Sequence, residues 1–176
     1  MLPIRVIAIP TAVAESVRAT LKDPVYGHPA HTEIGDDSAP CRHCLRLIVP
    51  GERRILFTYD RFSGIEPLPL PGPIYIHAER CERYPENAEF PDELRSSPRT
   101  LEGYSAGRHL VAREYVNDGA MEKALERIFA RGEVDYVLVN STTAGCNTFR
   151  IERHLASRNA KATSLVGEDA GLGGGD

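Results

Sequence analysis

The sequence predicts a single α+β domain with a mainly antiparallel sheet and two principal helices. The chain has 176 residues, which suits one domain, and 41% of them are hydrophobic. Strand-like runs and helical patterns do not alternate as they would in parallel βαβ units, so antiparallel pairing is expected. We expect the domain to occupy residues 1–160 and the glycine-rich residues 161–176 to form a disordered tail.

A short strand and a helix are predicted at the start of the chain. Residues 4–9 form an apolar run of the β type. Thr11 is a candidate N-cap, and the helix that it would begin is indicated by apolar residues that recur every four positions. These apolar residues are Val13, Val17 and Leu21.

A long loop and a β-hairpin are predicted next. Residues 24–40 contain proline, glycine, histidine and acidic residues without periodicity. An irregular segment of this length in a compact domain is usually functional or disordered. Two apolar runs, residues 45–49 and 54–59, flank the turn-forming residues 50–52, and this pattern is typical of a hairpin.

Prolines at every second position indicate that the next segment lies at the edge of a sheet. They lead into the β-type run 74–77. In an extended chain alternate N–H groups point to the same side, so one side of this segment lacks hydrogen-bond donors and cannot face a central strand. The prolines are Pro67, Pro69, Pro71 and Pro73.

The second half of the chain predicts three more strands and the clearest helix. The strand candidates are residues 108–116, 134–139 and 148–151. Asp118 lies at the start of a helix whose apolar residues fit one face, and Gly132 follows its end. The residues of that face are Met121, Ala124, Leu125, Ile128 and Phe129.

Charge and hydropathy exclude several classes of partner. The net charge is −4 and the isoelectric point is near 5.9, so no positive field over the whole domain favours nucleic acid. The apolar run before Pro10 is shorter than the core of a secretory signal or a membrane span. We therefore expect a cytoplasmic protein with no membrane partner, whose four cysteines are reduced thiols, metal ligands or catalysts.

Five ordered motifs make the chain similar to a known family. They are residues 40–46 (PCRHCLR), 56–60 (LFTYD), 69–73 (PLPGP), 76–79 (IHAE) and 144–146 (AGC). Over about residues 2–153 the chain resembles the bacterial domain-of-unknown-function family numbered 1203. The resemblance implies a small stand-alone bacterial protein with no assigned activity.

Cysteine and histidine residues in the middle of the chain predict a metal site. Cys41 and Cys44 are separated by two residues, and His77 and Cys81 follow the predicted hairpin. A two-residue gap lets both thiolates face one ion, and sets of cysteine and histidine form tetrahedral zinc shells. A single CxxC is a weaker signal than two, and no glycine follows Cys44 to ease the turn. Zinc is the cofactor that the pattern suggests.

The same residues are open to a second interpretation, as reactive thiols. Arg42, His43 and Arg46 surround the cysteine pair, and nearby cations lower the pKa of a thiol. The strand-like run after Cys44 argues against a thioredoxin-like site, in which the pair opens a helix. Cys146, in a glycine turn between strands, is either a small buried residue or a thiol presented over the sheet.

Two function hypotheses follow, and the sequence does not decide whether the protein is an enzyme. The first is a small cytosolic enzyme or small-molecule binder that handles a small anionic ligand. Its catalytic residues would be Cys41, His43 and His77, and its ligand-binding residues would be Arg46, Tyr59 and Arg108.

The second hypothesis is a non-catalytic interaction module that a structural zinc ion stabilises. Its zinc ligands would be Cys41, Cys44, His77 and Cys81. The two hypotheses use overlapping residues, so the arrangement of these side chains in the fold has to separate them.

Overall fold

Three antiparallel sheets and two α-helices make up the part of the chain that the computed structural model describes, residues 3–65, 70–86 and 89–153. The predicted α+β class and mainly antiparallel pairing are confirmed. Within these residues no helix has the length and apolar character needed to span a membrane. The helices are α1 (Thr11–Thr20) and α2 (Met121–Phe129), and a short 3-10 helix covers Asp92–Leu94. The strands are β1 (Ile4–Ile7), β2 (His31–Ile34), β3 (Ala39–Pro40), β4 (Leu47–Ile48), β5 (Arg53–Asp60), β6 (Pro71–His77), β7 (Arg99–Tyr104), β8 (Leu110–Val116), β9 (Tyr136–Ser141) and β10 (Asn147–Arg153).

The largest sheet has five strands in the order β1-β10-β9-β7-β8 and packs one face against α2. The helix buries all five residues that its sequence pattern assigns to one face. They pack with alternate strand residues such as Val137, Val139 and Ile151. Gly103 on β7 permits this close packing, because a Cβ at that position would lie 2.6 Å from Ile128 Cγ2.

A second sheet, β2-β5-β6, builds a separate core with α1. Ala14 and Val17 of the helix pack in this core, where the buried cysteines of the CxxC pair also lie. Among the described strands β6 pairs only with β5, so it is an edge strand, as its prolines predict. Pro71 and Pro73 belong to β6, whereas Pro67, Pro69 and the predicted tail 161–176 lie outside the described residues.

Two local predictions are wrong because tertiary packing, not proximity in the sequence, selects the strand partners. The predicted loop 24–40 contains β2 and β3. The predicted hairpin of residues 45–49 and 54–59 does not form, since β4 pairs with β3 while β5 pairs with β2 and β6. The turn between these runs bonds instead to Gly35, whose N–H donates to the Glu52 carbonyl at 3.0 Å.

Strand β7 occupies the interior of the five-stranded sheet, and the sequence does not predict it because it carries no apolar run. Its Glu102 is buried. Arg113 lies 2.7 Å from one carboxylate oxygen, and the Tyr104 hydroxyl and the Asn140 amide each donate to the other at 3.0 Å. Two of these partners come from β8 and β9, so only the assembled sheet makes a buried acid tolerable.

Helix α1 begins at Thr11, but the predicted Thr11 cap is wrong. Pro10 occupies the N-cap position, and no side chain caps the helix. The Thr11 hydroxyl lies 3.1 Å from His43 Nε2 instead, because α1 packs against the CxxC turn. The Thr11 hydroxyl therefore contacts His43 and accepts no hydrogen bond from the backbone N–H groups of the first turn of α1.

Asp23 fixes the connection between α1 and β2, and we expect the variant Asp23→Asn to be less stable by about 1–3 kcal/mol. The buried carboxylate accepts backbone N–H groups from Val25 at 3.0 Å and from Tyr26 and His28 at 2.7 Å. An amide nitrogen cannot accept the third bond. Urea unfolding at pH 7 measures the loss, and Asp118→Asn is the matched control, because the exposed Asp118 accepts one backbone bond.

The same carboxylate makes stability depend on pH. Burial raises the pKa of the Asp23 carboxyl group. The hydrogen bonds from the three backbone N–H groups lower this pKa, and their combined effect is larger than that of burial, so the net shift is downward. A carboxyl group with a lowered folded pKa contributes stability above its unfolded pKa of about 4 and loses it as the pH falls. Below about pH 4 the wild type and Asp23→Asn should therefore converge in stability. A difference that stays constant down to pH 2 would contradict this explanation.

Candidate metal centre

The CxxC residues form a tight turn at the tip of a two-stranded sheet. β3 and β4 pair beneath the turn, and the Cys41 N–H donates to the Arg46 carbonyl at 2.9 Å. Leu45 adopts the left-handed conformation with φ of 56°, so the turn forms without the glycine that the sequence lacks. Leu45 is 1% exposed, and its burial in the core offsets the cost of this conformation.

The open edge of β6 binds this turn. In a strand the N–H and C=O of alternate residues face the same side, so Pro71, Pro73, Tyr75 and His77 share the edge that β5 does not use. The Tyr75 carbonyl accepts the Arg42 N–H at 3.0 Å, and the His77 N–H lies 3.4 Å from Cys41 Sγ. The spacing of the prolines therefore also determines which residues of β6 meet the cysteine turn.

Four side chains bring their ligand atoms together where these two segments meet. The sulfur or nitrogen atoms that they offer all lie within 4.8 Å of one another. The turn supplies two thiols, the end of β6 supplies the imidazole, and the segment after β6 supplies the third thiol. The four residues are Cys41, Cys44, His77 and Cys81.

Two distances within this cluster are close to the edges of a tetrahedral zinc shell. With Zn–S bonds of about 2.3 Å and a Zn–N bond of about 2.05 Å, the edges are about 3.8 Å between sulfurs and about 3.6 Å between sulfur and nitrogen. Cys41 Sγ lies 4.0 Å from Cys81 Sγ, and Cys44 Sγ lies 3.4 Å from His77 Nδ1. A disulfide would need about 2.05 Å, so the thiols are free.

Three further side chains surround the cluster. Arg18 of α1 donates to Cys81 Sγ at 3.2 Å and to the His77 carbonyl at 3.1 Å. His43 places Nδ1 3.3 Å from the same sulfur, and burial lowers the pKa of its ring, so the imidazole is neutral at pH 7. Glu52 lies 3.6 Å from His77 Nε2, which leaves Nδ1 facing the cluster. A carboxylate on the outer nitrogen is the usual support of a metal-binding histidine.

The cluster residues shift the pKa values of one another. Hydrogen bonding with Cys44, and then with Cys81, holds the pKa of Cys41 far below its usual range, and the contact with Cys41 raises that of Cys44. Hydrogen bonds to Cys41 and Cys81 raise the pKa of His77 to about 10. The site therefore stabilises one thiolate, and further thiolates in the same space require a strong positive charge.

A groove of about 720 Å³ runs past one side of the cluster, and Arg46 lies exposed on it. The groove is lined by Cys44, His77 and Cys81 but also by acidic and basic residues in similar numbers. Its acids include Glu52. Arg46 is thus the one predicted anion-binding residue that shares a surface with the cluster, and this surface has no excess of positive charge.

The other predicted site residues lie elsewhere in the fold. Tyr59 on β5 is opposite Gly72, five residues along β6 from His77, which is about 17 Å in an extended strand. Arg108 has φ of 63° in the turn before β8, and its guanidinium lies 3.9 Å over the Phe62 ring. Of the three residues predicted to bind an anion, Arg46 alone is among those that line the groove beside the cluster.

Cys146 is also separate from the metal-type cluster. It accepts a hydrogen bond from Arg42 Nη2 at 3.1 Å. Arg42 is 2% exposed and also donates to the Pro40 carbonyl at 2.6 Å and to the Asn147 carbonyl at 3.0 Å. This arginine joins the cysteine turn to the start of β10 in the five-stranded sheet.

Sequence reasoning missed the contributions of Thr11, Arg18 and Glu52 to this centre. The contacts of Arg18 span 59 and 63 residues of chain, and that of Thr11 spans 32. Arg18 lies in the last turn of α1, where a basic residue is ordinary for a helix, so no local pattern marks it. These residues join the site only because α1 packs beside the second sheet.

Comparison with known proteins gives one match. A family model described as "Protein of unknown function (DUF1203)" matches residues 38–153, about two thirds of the 176-residue chain. The match contains all four residues of the cluster and begins later than the resemblance over residues 2–153 suggests. No curated protein and no solved structure matches the chain significantly.

Proposed function

Because the chain belongs to the DUF1203 family, whose function is unknown, we propose from the geometry of the site that this protein binds one structural zinc ion. Zinc is preferred over harder ions because the donor set consists of three sulfurs and one nitrogen. The ligands in this proposal are Cys41, Cys44, His77 and Cys81.

The mutual distance of the four donors is the observation that carries the proposal. The two pairs of ligands belong to segments that are separated by more than 30 residues, yet their donor atoms lie within 4.8 Å of one another. Thiols packed at this spacing around an imidazole leave room for one small ion at their centre. A purely apolar role for the cysteines would not require a histidine and a supporting carboxylate on its outer nitrogen.

Four protein ligands support a structural ion rather than a catalytic one. Catalytic zinc sites keep an open position for water or substrate, whereas structural sites are closed by four side chains. Cys41 is fully buried, and His43 is 1% exposed with both ring nitrogens engaged. These features favour the zinc-stabilised module over a site in which Cys41, His43 and His77 attack a substrate.

The charge around the cluster also supports zinc. Three thiolates and one Zn²⁺ carry a net charge of about −1, and the Arg18 guanidinium beside Cys81 compensates it. Arg18 and the backbone N–H of His77 each direct a donor at a sulfur atom. These contacts support the proposed Cys₃His site, because they offset the excess negative charge that it would carry.

Metal analysis of protein purified without a histidine tag tests the proposal. We expect one zinc per chain in the wild type and much less than one in Cys44→Ser. Cys146→Ser is the matched control, because this cysteine contacts Arg42 and not the cluster, and it should retain one zinc. A wild-type protein without zinc that stays metal-free after incubation with zinc would contradict the proposal.

We expect the variant Arg18→Met to bind zinc at least 10-fold more weakly than the wild type, because the change removes the positive charge and the hydrogen bond at Cys81. Competition with a chromophoric chelator measures this affinity. Arg127→Met is the matched control, since Arg127 is an exposed arginine on α2 that pairs with Glu114. Equal affinities in both variants would show that Arg18 has only a packing role.

A further inference from the structure

Two adjoining cavities lie on the face of the five-stranded sheet that α2 does not cover. On β10, Phe149 and Ile151 face the helix, so Arg150 between them faces the opposite side. Thr148 lies at a break in the strand register between Asn147 and Phe149, and it lines the same cavity as Arg150. The smaller cavity, of about 110 Å³, is lined by these two residues and by side chains from β5 and the segments that follow β5 and β6. We call it the arginine cavity, after Arg61, Arg83 and Arg150 in its wall.

Three buried polar atoms in this wall form no hydrogen bond within the described residues. One of them, Arg150 Nε, lies 2.9 Å from a carboxylate oxygen of Glu152, and the other two have no such partner there. Thr148 is 1% exposed, and its Oγ1 forms no hydrogen bond there. Arg61 Nε is likewise buried and unpaired among the described residues. Buried polar groups are nearly always satisfied, so two orphans in one cavity indicate that a ligand or water completes them.

The arginine cavity has an excess of positive charge. Arg83 lies 2.7 Å from Glu86, and Arg150 lies 2.9 Å from Glu152, but no described carboxylate pairs with Arg61 and none lines the cavity. Pro10, immediately before the first turn of α1, is part of the wall, and this helix has no acidic residue in its first turn. The partial positive charge of the helix N-terminus therefore adds to that of the arginines.

The neighbouring cavity is larger and mostly apolar. It measures about 250 Å³ and shares Tyr59, Arg61 and Asn147 with the arginine cavity. Its other walls are residues 70–74 and the turn 144–146, which ends in Cys146. The polar cavity therefore adjoins a space suited to a small apolar group.

We propose that the two cavities together bind a small phosphate monoester. The phosphate would occupy the arginine cavity, where Arg61 and Thr148 donate to its oxygens, and the organic group would lie along β6. A cavity of about 110 Å³ holds one tetrahedral oxyanion, since a water molecule takes about 30 Å³ in the liquid. Arg61 and the N-terminus of α1 supply positive charge that no described carboxylate compensates, and a phosphate dianion interacts with it more strongly than a carboxylate does. Tyr59, which the sequence predicts to hold an anion, belongs to both walls.

Calorimetric titration with phenyl phosphate at constant ionic strength tests this proposal, with benzoate and inorganic phosphate as comparison ligands. We expect one saturable site for phenyl phosphate, with at least 10-fold weaker binding of benzoate and weaker binding of inorganic phosphate. Saturation with phenyl phosphate should also slow alkylation of Cys146. The absence of saturable binding, or equal affinity for phenyl phosphate and benzoate, would overturn the proposal.

Two variants distinguish a binding role from a structural one. Arg61→Met and Thr148→Val should each weaken phenyl phosphate binding by about 10-fold or more, since each removes a donor to a charged group. Thr148→Val should be at least as thermally stable as the wild type without ligand, because it removes an unpaired hydroxyl. Arg127→Met on α2 is the control with unchanged affinity. Unchanged affinity for phenyl phosphate in both Arg61→Met and Thr148→Val would overturn the proposed phosphate site. The zinc content of all three variants should equal that of the wild type.

Discussion

Removal of zinc with a chelator is expected to lower the melting temperature by about 8–16 °C. A site occupied at a thousand times its dissociation constant contributes about 4 kcal/mol to stability, and in a chain of this size each kcal/mol corresponds to about 2–4 °C. The loss would arise because the proposed zinc ion joins the cysteine turn to the end of β6 and neutralises closely packed thiolates. Differential scanning calorimetry before and after chelation measures it.

Hydrogen exchange should locate the effect of chelation. Amides of the second sheet and the cysteine turn should lose protection, whereas those of the five-stranded sheet, which has its own core with α2, should retain it. Cys146→Ser should respond to the chelator as the wild type does, because the four proposed ligands are intact in this variant. Melting that the chelator does not change, or that magnesium restores as well as zinc, would contradict a structural zinc ion.

The second large effect is expected at Arg42, where Arg42→Met should cost about 2–4 kcal/mol in the free energy of unfolding. The change removes a buried charge, which is favourable, but it leaves the part-buried backbone carbonyls of Pro40 and Asn147 without this donor. Each unsatisfied carbonyl costs about 1–3 kcal/mol, and a hydrogen bond from a charged group is lost with it. Urea unfolding measures the sum.

Two further variants define the role of Arg42. Lysine retains the charge but lacks the planar fork that reaches both carbonyls, so Arg42→Lys should recover only part of the stability. Arg46→Met, two residues after Cys44, replaces an exposed arginine and should change stability by less than about 0.5 kcal/mol. If Arg42→Met unfolds at the same urea concentration as Arg46→Met, the connection between the two sheets does not depend on this arginine.

Local patterns in the sequence were sufficient where one element alone determines the outcome. The apolar face of α2 follows from its period, and all five residues are buried. The edge position of β6 follows from its prolines, which lack the N–H groups that a second neighbour would need. The four members of the cysteine cluster were predicted as one of two interpretations, because a CxxC pair with a later histidine and cysteine is a pattern of zinc ligands, and the structure brings the four residues together.

The remaining features depend on contacts between distant segments. Strand β7 is buried although it carries Glu102, because Arg113, Tyr104 and Asn140 satisfy this acid in the assembled sheet. Arg18 reaches the cluster through α1, and no sequence signal relates it to Cys81. Tyr59 was predicted to act with the residues at the cysteine pair, but it lies opposite Gly72, five residues along β6 from His77. The pairing of β5 with β6, which determines this distance, cannot be read from the residues themselves.

X-ray absorption at the zinc edge tests the central claim most directly, since it reports the atoms bound to the metal. The Cys₃His site predicts three sulfur neighbours at about 2.3 Å and one nitrogen neighbour at about 2.0–2.1 Å, in the wild type and equally in Cys146→Ser. His77→Ala should lose the nitrogen signal and retain the sulfurs. A spectrum dominated by oxygen and nitrogen, or one with a single sulfur neighbour, would contradict the assignment of Cys41, Cys44, His77 and Cys81 as the ligands.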